Sequence, residues 1–190
     1  YRKLDKMNNN KLLATLILST LTAFSFGVDE ANAETIETRG SNSNVGGDTY
    51  QNITTDDNGG AFIYDGGATS DYSINNVTFD SNSATGTGHK GGAIFNSSAN
   101  THTVTVDDST FTNNSASQGQ DIYNQGTMIL TGINNLQSSD DALYNEGTAT
   151  NGNGEDTATL NAGVTNAGTF TNNANATILG KVTNSNKFSN

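Results

Sequence analysis

The 190-residue chain contains no Cys, Pro or Trp, and Asn, Thr, Gly and Ser together supply 95 of its residues. Its formal net charge is −11, with 32% apolar and 14% charged residues. Because these four residue types are mediocre or poor helix formers, the composition excludes a helical bundle, and the missing Pro and Cys exclude collagen-like and zinc-finger proteins. Disordered chains are rich in charge and Pro, so we expect a polar, repetitive β protein instead.

The first predicted element is a secretory signal peptide over residues 1–33. Three lysines precede an apolar run from Leu12 to Phe26, and Ala31-Asn32-Ala33 follows it. A basic segment, an apolar segment of this length and an A-x-A site are the parts of a signal peptide. The alternative, a membrane anchor, is disfavoured because the run contains Thr and Ser and is shorter than the ~20 apolar residues of a span.

Residues 34–190 carry 16 acidic and 4 basic residues, which gives a net charge of −12. This balance argues against nucleic acid or anionic lipid as a partner, because both require clustered Lys and Arg. We expect residues 34–190 to form one β-helical repeat region. Since Phe188-Ser189-Asn190 stops inside a repeat, the region is expected to be truncated at its C-terminal end.

Two short motifs recur 32 residues apart in the middle of the chain. The copies are Gly59-Gly60-Ala61-Phe62 with Gly91-Gly92-Ala93-Ile94, and Phe79-Asp80-Ser81-Asn82 with Phe111-Thr112-Asn113-Asn114. The next step, from Asn96 to Asn124, is 28 residues. Fixed periods of about 20–50 residues are typical of solenoids, propellers and arrays. Because the repeat unit shortens from 32 to 28 residues along the chain, we predict a coil of constant size with longer loops in its earlier turns.

The last third of the chain is the most regular. Three N-x-G-T copies begin at Asn124, Asn145 and Asn166, spaced 21 residues apart, and a degraded fourth runs from Asn184 to Phe188. Equivalent residues stack directly in a parallel β-helix, whose strands are about 4.8 Å apart. We therefore predict that the first three Asn form one column, as in the amide ladders of cross-β assemblies.

Alternating runs predict the strands between these motifs. Thr103-Val104-Thr105-Val106 places two valines on one face and two threonines on the other, which is the period of a strand. The residues predicted to point inward are Val77, Phe79, Ile94, Val104, Val106, Phe111, Ile122, Leu130, Leu143 and Phe170. Such a narrow interior needs few apolar residues per coil, so low hydrophobicity is compatible with this fold.

These motifs carry a family resemblance. The Gly59 and Gly91 motifs are similar to the GGAI motif of bacterial polymorphic outer-membrane proteins, and the segments from Phe79, Phe111 and Phe170 are similar to their FxxN motif. The resemblance covers residues 59–116 well. From residue 122 onward the coils resemble autotransporter passengers more generally.

The resemblance implies an all-β fold, a right-handed parallel β-helix (solenoid), exported to the bacterial outer membrane or cell surface and often acting as an adhesin. Family members cross the outer membrane through a C-terminal β-barrel of amphipathic ~10-residue strands, which this sequence lacks. The implied partners are a host glycan or surface protein, together with a barrel domain missing from this chain.

Catalytic and metal-binding signals are weak, and no catalytic residue, metal ligand or cofactor is assigned. Three Asp pairs are present, at Asp56-Asp57, Asp107-Asp108 and Asp140-Asp141, but paired carboxylates need to converge across a cleft to act together. His89 and His102 lack Cys or HExxH context for zinc. The remaining candidates are a calcium-like loop over residues 151–156, better explained as an insertion, and the T-x-T pairs Thr103/Thr105, Thr148/Thr150 and Thr157/Thr159. T-x-T pairs are typical of ice-binding β-helices, but the irregular spacing of these pairs disfavours that function.

Three functions therefore remain open. The leading hypothesis is an exported passenger that binds a surface partner, in adhesion, and catalyses nothing. The first alternative is a fragment of an extracellular polysaccharide lyase or hydrolase, since such enzymes also use parallel β-helices. The second alternative is a structural stalk that binds nothing.

Overall fold

The computed structural model describes residues 35–36, 39–66 and 70–190. The predicted signal peptide and its cleavage site lie outside the described residues. The described chain winds into a coil, and each turn contributes one strand to each of three parallel sheets, A, B and C, in that order. The parallel β-helix predicted from the repeats is confirmed. None of the described stretches forms a helix that could cross a membrane.

Each of the three sheets has seven strands. Sheet A contains β1 Thr35–Ile36, β4 Thr49–Gln51, β8 Thr78–Asp80, β12 Thr110–Thr112, β15 Ile133–Leu136, β18 Ala158–Asn161 and β21 Ala176–Ile178. Sheet B contains β2 Gly40–Ser41, β6 Phe62–Tyr64, β10 Ile94–Asn96, β13 Ile122–Asn124, β16 Leu143–Asn145, β19 Val164–Asn166 and β22 Val182–Asn184. Sheet C contains β3 Val45–Gly46, β7 Tyr72–Asn75, β11 Thr103–Asp107, β14 Thr127–Thr131, β17 Thr148–Asn151, β20 Thr169–Asn172 and β23 Lys187–Ser189. Two further strands, β5 Thr54–Thr55 and β9 Ser83–Ala84, pair at the corner between A and B.

The core lies inside the coil and is built by alternation along each strand. In β11, Val104 and Val106 are fully buried while Thr105 between them faces outward and is half-buried. All ten residues predicted to point inward are buried. Because paired strands are in register, like side chains stack, and Phe79 pairs with Phe111 in the next coil as predicted.

The Gly-Gly motif forms the corner that leads into sheet B. Gly91 has φ +70°, a left-handed conformation that favours glycine, and a Cβ on Gly92 would lie 2.1 Å from the carbonyl oxygen of Gln120 in the next coil. The first glycine therefore makes the turn, and the second allows the backbones of successive coils to approach closely.

The predicted Asn column is confirmed at the corner between sheets B and C. The Nδ2 of Asn124 donates to Oδ1 of Asn145 at 2.7 Å, and that of Asn145 donates to Asn166 at 2.7 Å. Asn96 and Asn184 extend the column at its two ends. Each of the three central amides also donates to a backbone carbonyl of the following coil, so the buried amides are satisfied.

The third FxxN segment does not occupy the position of the first two. Phe79 and Phe111 lie in sheet A, whereas Phe170 lies in sheet C, where it stacks on Phe188 with 5.7 Å between ring centroids. The chain therefore turns toward sheet A after Phe170. At that corner Asn172 belongs to a second amide column, accepting from Asn151 at 2.8 Å.

Candidate binding surface

An aromatic column runs along the outside of sheet B. In each three-residue strand of this sheet, the first and third side chains point into the coil and the second points outward. The outward residues of β10, β13 and β16 are Phe95, Tyr123 and Tyr144, and they are in register. The Phe95 and Tyr123 ring centroids are 5.9 Å apart, and those of Tyr123 and Tyr144 are 5.0 Å apart with ring planes 4° apart. The coil spacing therefore imposes face-to-face stacking.

Charged and amide groups surround the middle of this column. Lys90 Nζ donates to the Tyr123 hydroxyl at 2.5 Å, lies 4.2 Å from the ring centroid and is 3.9 Å from the Glu146 carboxylate. Gln125 donates to Glu146 at 2.9 Å. The Tyr123 ring is inaccessible to solvent, since its exposed fraction is 0%.

The same contacts perturb the two acidic groups of the cluster in opposite directions. Burial, followed by a hydrogen bond to Glu146, raises the pKa of Tyr123, so its phenol stays protonated. Burial also acts to raise the pKa of Glu146, but hydrogen bonds from Tyr123 and Gln125 and the charge of Lys90 hold that pKa below its usual value. The carboxylate is therefore ionised at neutral pH.

The aromatic column ends at Tyr144. The next residues in register, Thr165 and Thr183, have side chains shorter than a ring. We call the space in front of these two threonines, beyond the Tyr144 ring, the Tyr144 step. Tyr144 is half-buried, in contrast to the fully buried Tyr123. Lys181, two residues before Thr183 in the chain, has its ammonium 3.9 Å from the Asp140 carboxylate.

The outside of sheet C presents the predicted polar face. Thr103, Thr127, Thr148 and Thr169 form one column, and Thr105, Ile129, Thr150 and Thr171 form a second. The T-x-T pairs Thr103/Thr105 and Thr148/Thr150 therefore lie in register, although the spacing of these pairs in the sequence is irregular. The array is not uniform, because Ile129 interrupts one column and Lys187 follows Thr169 in the other.

The three Asp pairs are not brought together. Asp107-Asp108 lies at the corner between sheets C and A, whereas Asp56-Asp57 and Asp140-Asp141 lie at the corner between A and B in different coils. Asp107 accepts hydrogen bonds from Asn75 and Thr131 of the two neighbouring coils, each at 2.8 Å. These carboxylates thus connect coils and form no shared cleft.

The most buried carboxylate is Asp121, which is 0% exposed. Asn114 Nδ2 donates to it at 2.8 Å, and both the hydroxyl and the backbone N–H of Ser138 donate to it as well. Burial raises the pKa of Asp121, and the hydrogen bonds from Ser138 and Asn114 only partly offset this effect. Asp121 is a structural group at the corner between A and B.

Within the described ranges, no group of three or more His, Cys, Asp or Glu side chains is placed to hold a metal ion. His102 Nδ1 lies 3.8 Å from the Asp71 carboxylate. In the calcium-like segment, Asn151 belongs to the second amide column, and Asn153 Oδ1 accepts from the N–H groups of Glu155 and Asp156. This segment closes on itself as an Asx turn between β17 and β18.

The aromatic column was missed by the sequence analysis, although a signal for it exists. An aromatic residue directly precedes three successive ladder asparagines: Phe95 before Asn96, Tyr123 before Asn124 and Tyr144 before Asn145. Since the ladder Asn points inward, the residue before it has to point outward. The apolar residue directly before each of them made these positions resemble part of a continuous core strand.

The sequence matches no protein-family model, and no curated protein and no solved structure is similar enough to count as a relative. The fold is therefore shown by the strand register, and the resemblance to polymorphic outer-membrane proteins is carried by the GGAI and FxxN motifs alone.

Proposed function

We propose that the chain is the β-helical passenger of an exported, autotransporter-like protein of the bacterial surface, and that it acts in adhesion by binding a glycan or protein surface. The observation that carries the proposal is the outer surface of sheet C, where two columns made mostly of threonine repeat at the strand spacing. Such columns suit many weak contacts distributed along a partner. Presentation in many copies would add avidity to them.

Catalysis has less support. The described carboxylates are distributed over separate corners and coils, and Lys90, one of four cations in residues 34–190, is engaged with Tyr123 and Glu146. An active site instead requires titratable groups that converge in one pocket. A stalk is the second candidate, favoured by the amide columns at two corners that stiffen the coil.

The test is to display the chain on inert beads and to measure attachment to surfaces coated with neutral polysaccharides, pectin or host-matrix proteins. Beads that carry an unrelated protein of equal net charge are the control. Attachment above this control is expected on at least one surface. Folded chain that attaches to none of them would instead be a stalk, and new reducing ends or unsaturated products would indicate an enzyme.

A further inference from the structure

We propose that the Tyr144 step binds one neutral pyranose ring, which stacks on the outer part of the Tyr144 ring. This inference rests on the proposed function, because it names the class of partner and the residues that contact it. It concerns the end of the aromatic column on sheet B and is independent of the threonine columns on sheet C.

The stacking geometry of the column defines the site. Phe95, Tyr123 and Tyr144 place one ring per coil, and the last two rings are parallel within 4°. The following coil contributes Thr165 at the same position, and a threonine side chain reaches only a short way along a tyrosine ring. The outer part of the Tyr144 ring therefore faces the step, at the height where the next ring of the column would lie.

Polar groups of both kinds border the step. Thr165 and Thr183 face the step from the outer surface of sheet B, and the hydroxyl of each can donate or accept a hydrogen bond. Lys181, two residues before Thr183, supplies a donor, and Asp140 supplies an acceptor. Both side chains are exposed, at 67% and 86%, so they can reorient toward a ligand. A sugar ring needs this combination, since its hydroxyls both donate and accept while its C–H faces pack on an aromatic face.

Size and charge favour a neutral sugar over other partners. The step offers one half-buried aromatic ring, whereas a stable protein interface buries about 800 Å² on each partner. Residues 34–190 have a net charge of −12 and Glu146 and Asp140 lie close to Tyr144 along the chain, so an anionic sugar would be repelled. Neutral pyranosides avoid this cost.

The test is saturation-transfer NMR on the purified 190-residue chain with three probes: the methyl β-glycosides of glucose, galactose and N-acetylglucosamine. We expect millimolar binding of at least one probe, as suits a single exposed subsite. Thr165→Met places a long apolar side chain over the outer Tyr144 ring without adding a second aromatic face, and it should weaken binding by about tenfold or more without lowering the melting temperature. Tyr144→Phe keeps the stacking surface and should bind like the wild type.

Thr171→Met is the matched control, because it adds the same side chain to the same coil but on sheet C. It should leave binding unchanged. The proposal is overturned if none of the three probes binds, or if Thr165→Met binds as well as the wild type does.

The bead assay separates failure of this inference from failure of the proposed function. If wild-type beads attach but no glycoside binds, adhesion uses another surface and only the step proposal fails. If Thr165→Met abolishes attachment to matrix proteins while no glycoside binds, the step contacts protein and the sugar proposal is overturned. If wild-type beads attach to nothing and no glycoside binds, both proposals fail.

Discussion

Phe79 and Phe111 are 32 residues apart in the sequence and stack directly in sheet A, with 4.8 Å between ring centroids and 16° between ring planes. Both are fully buried. The pair shows how this chain forms a core from few apolar residues, since an inward side chain of one coil packs on its counterpart in the next coil.

Truncating one member of this pair should be costly. Phe111→Ala removes a fully buried ring between Tyr50-Phe79 on one side and Leu136 on the other, and it should lower the free energy of unfolding by about 3–5 kcal/mol. Thr105→Ala, on the outer face of sheet C, should change it by about 0.5 kcal/mol or less. Urea unfolding of the two variants measures both values, and equal losses would contradict the assigned burial.

The amide column should also contribute to stability. Asn145→Ala removes the acceptor of the Asn124 amide and two donors to backbone carbonyls, of Gly147 and Thr169. Because these groups are buried, each one left unpaired costs about 1–3 kcal/mol. The exposed Asn175→Ala is the control and should be nearly neutral. A loss for Asn145→Ala no larger than that for Asn175→Ala, in the same denaturant titration, would argue against the column.

The raised pKa of Asp121 predicts how the stability of the folded protein changes with pH. Its pKa is raised in the folded state, so its contribution to stability is fully present below the unfolded-state pKa and is lost as the pH rises through the folded-state pKa. Relative to Asp121→Asn, which does not titrate, the wild type should lose stability as the pH rises above about 4, the usual pKa of an Asp in an unfolded chain. Chemical unfolding at several pH values gives this difference. Only its slope is informative, because the altered bond to Ser138 has a pH-independent cost.

Export can be tested separately from the fold. The A-x-A site predicts that the mature chain begins at Glu34, and replacing Ala33 with a bulky residue should block processing. N-terminal sequencing of secreted material measures this. Secreted protein that still begins near Met7 would show that no cleavage occurs at Ala33.

The fold could be predicted from the sequence largely because, in a solenoid, the spacing of the sequence repeats determines which residues of successive coils pair. The 21-residue steps place Asn124, Asn145 and Asn166 in one column, and the alternation around Val104 and Val106 fixes the inward face. Loops of unequal length hide the rest of the register. For that reason Thr103 and Thr105, which precede Thr127 and Ile129 by 24 residues, could not be assigned to the threonine columns of sheet C from the 21-residue spacing.

The candidate site was less predictable than the fold. Tyr123 and Tyr144 stand between inward-pointing residues, so hydropathy alone assigns them to the core. Their outward orientation follows only once the neighbouring Asn is known to point inward. Lys90 reaches Tyr123 from a loop of the preceding coil, 33 residues away, and no local pattern predicts that contact.

The most direct test of the central claim, that successive coils stack in register, is NMR of the side-chain amide protons of the Asn column. We expect cross-peaks between the amides of Asn124 and Asn145 and between those of Asn145 and Asn166, with slow hydrogen exchange at all three. The exposed amide of Asn175 should exchange at the rate of a free asparagine. Exchange as fast as that of Asn175 at all three positions, with no cross-peaks between them, would contradict the stacked coil.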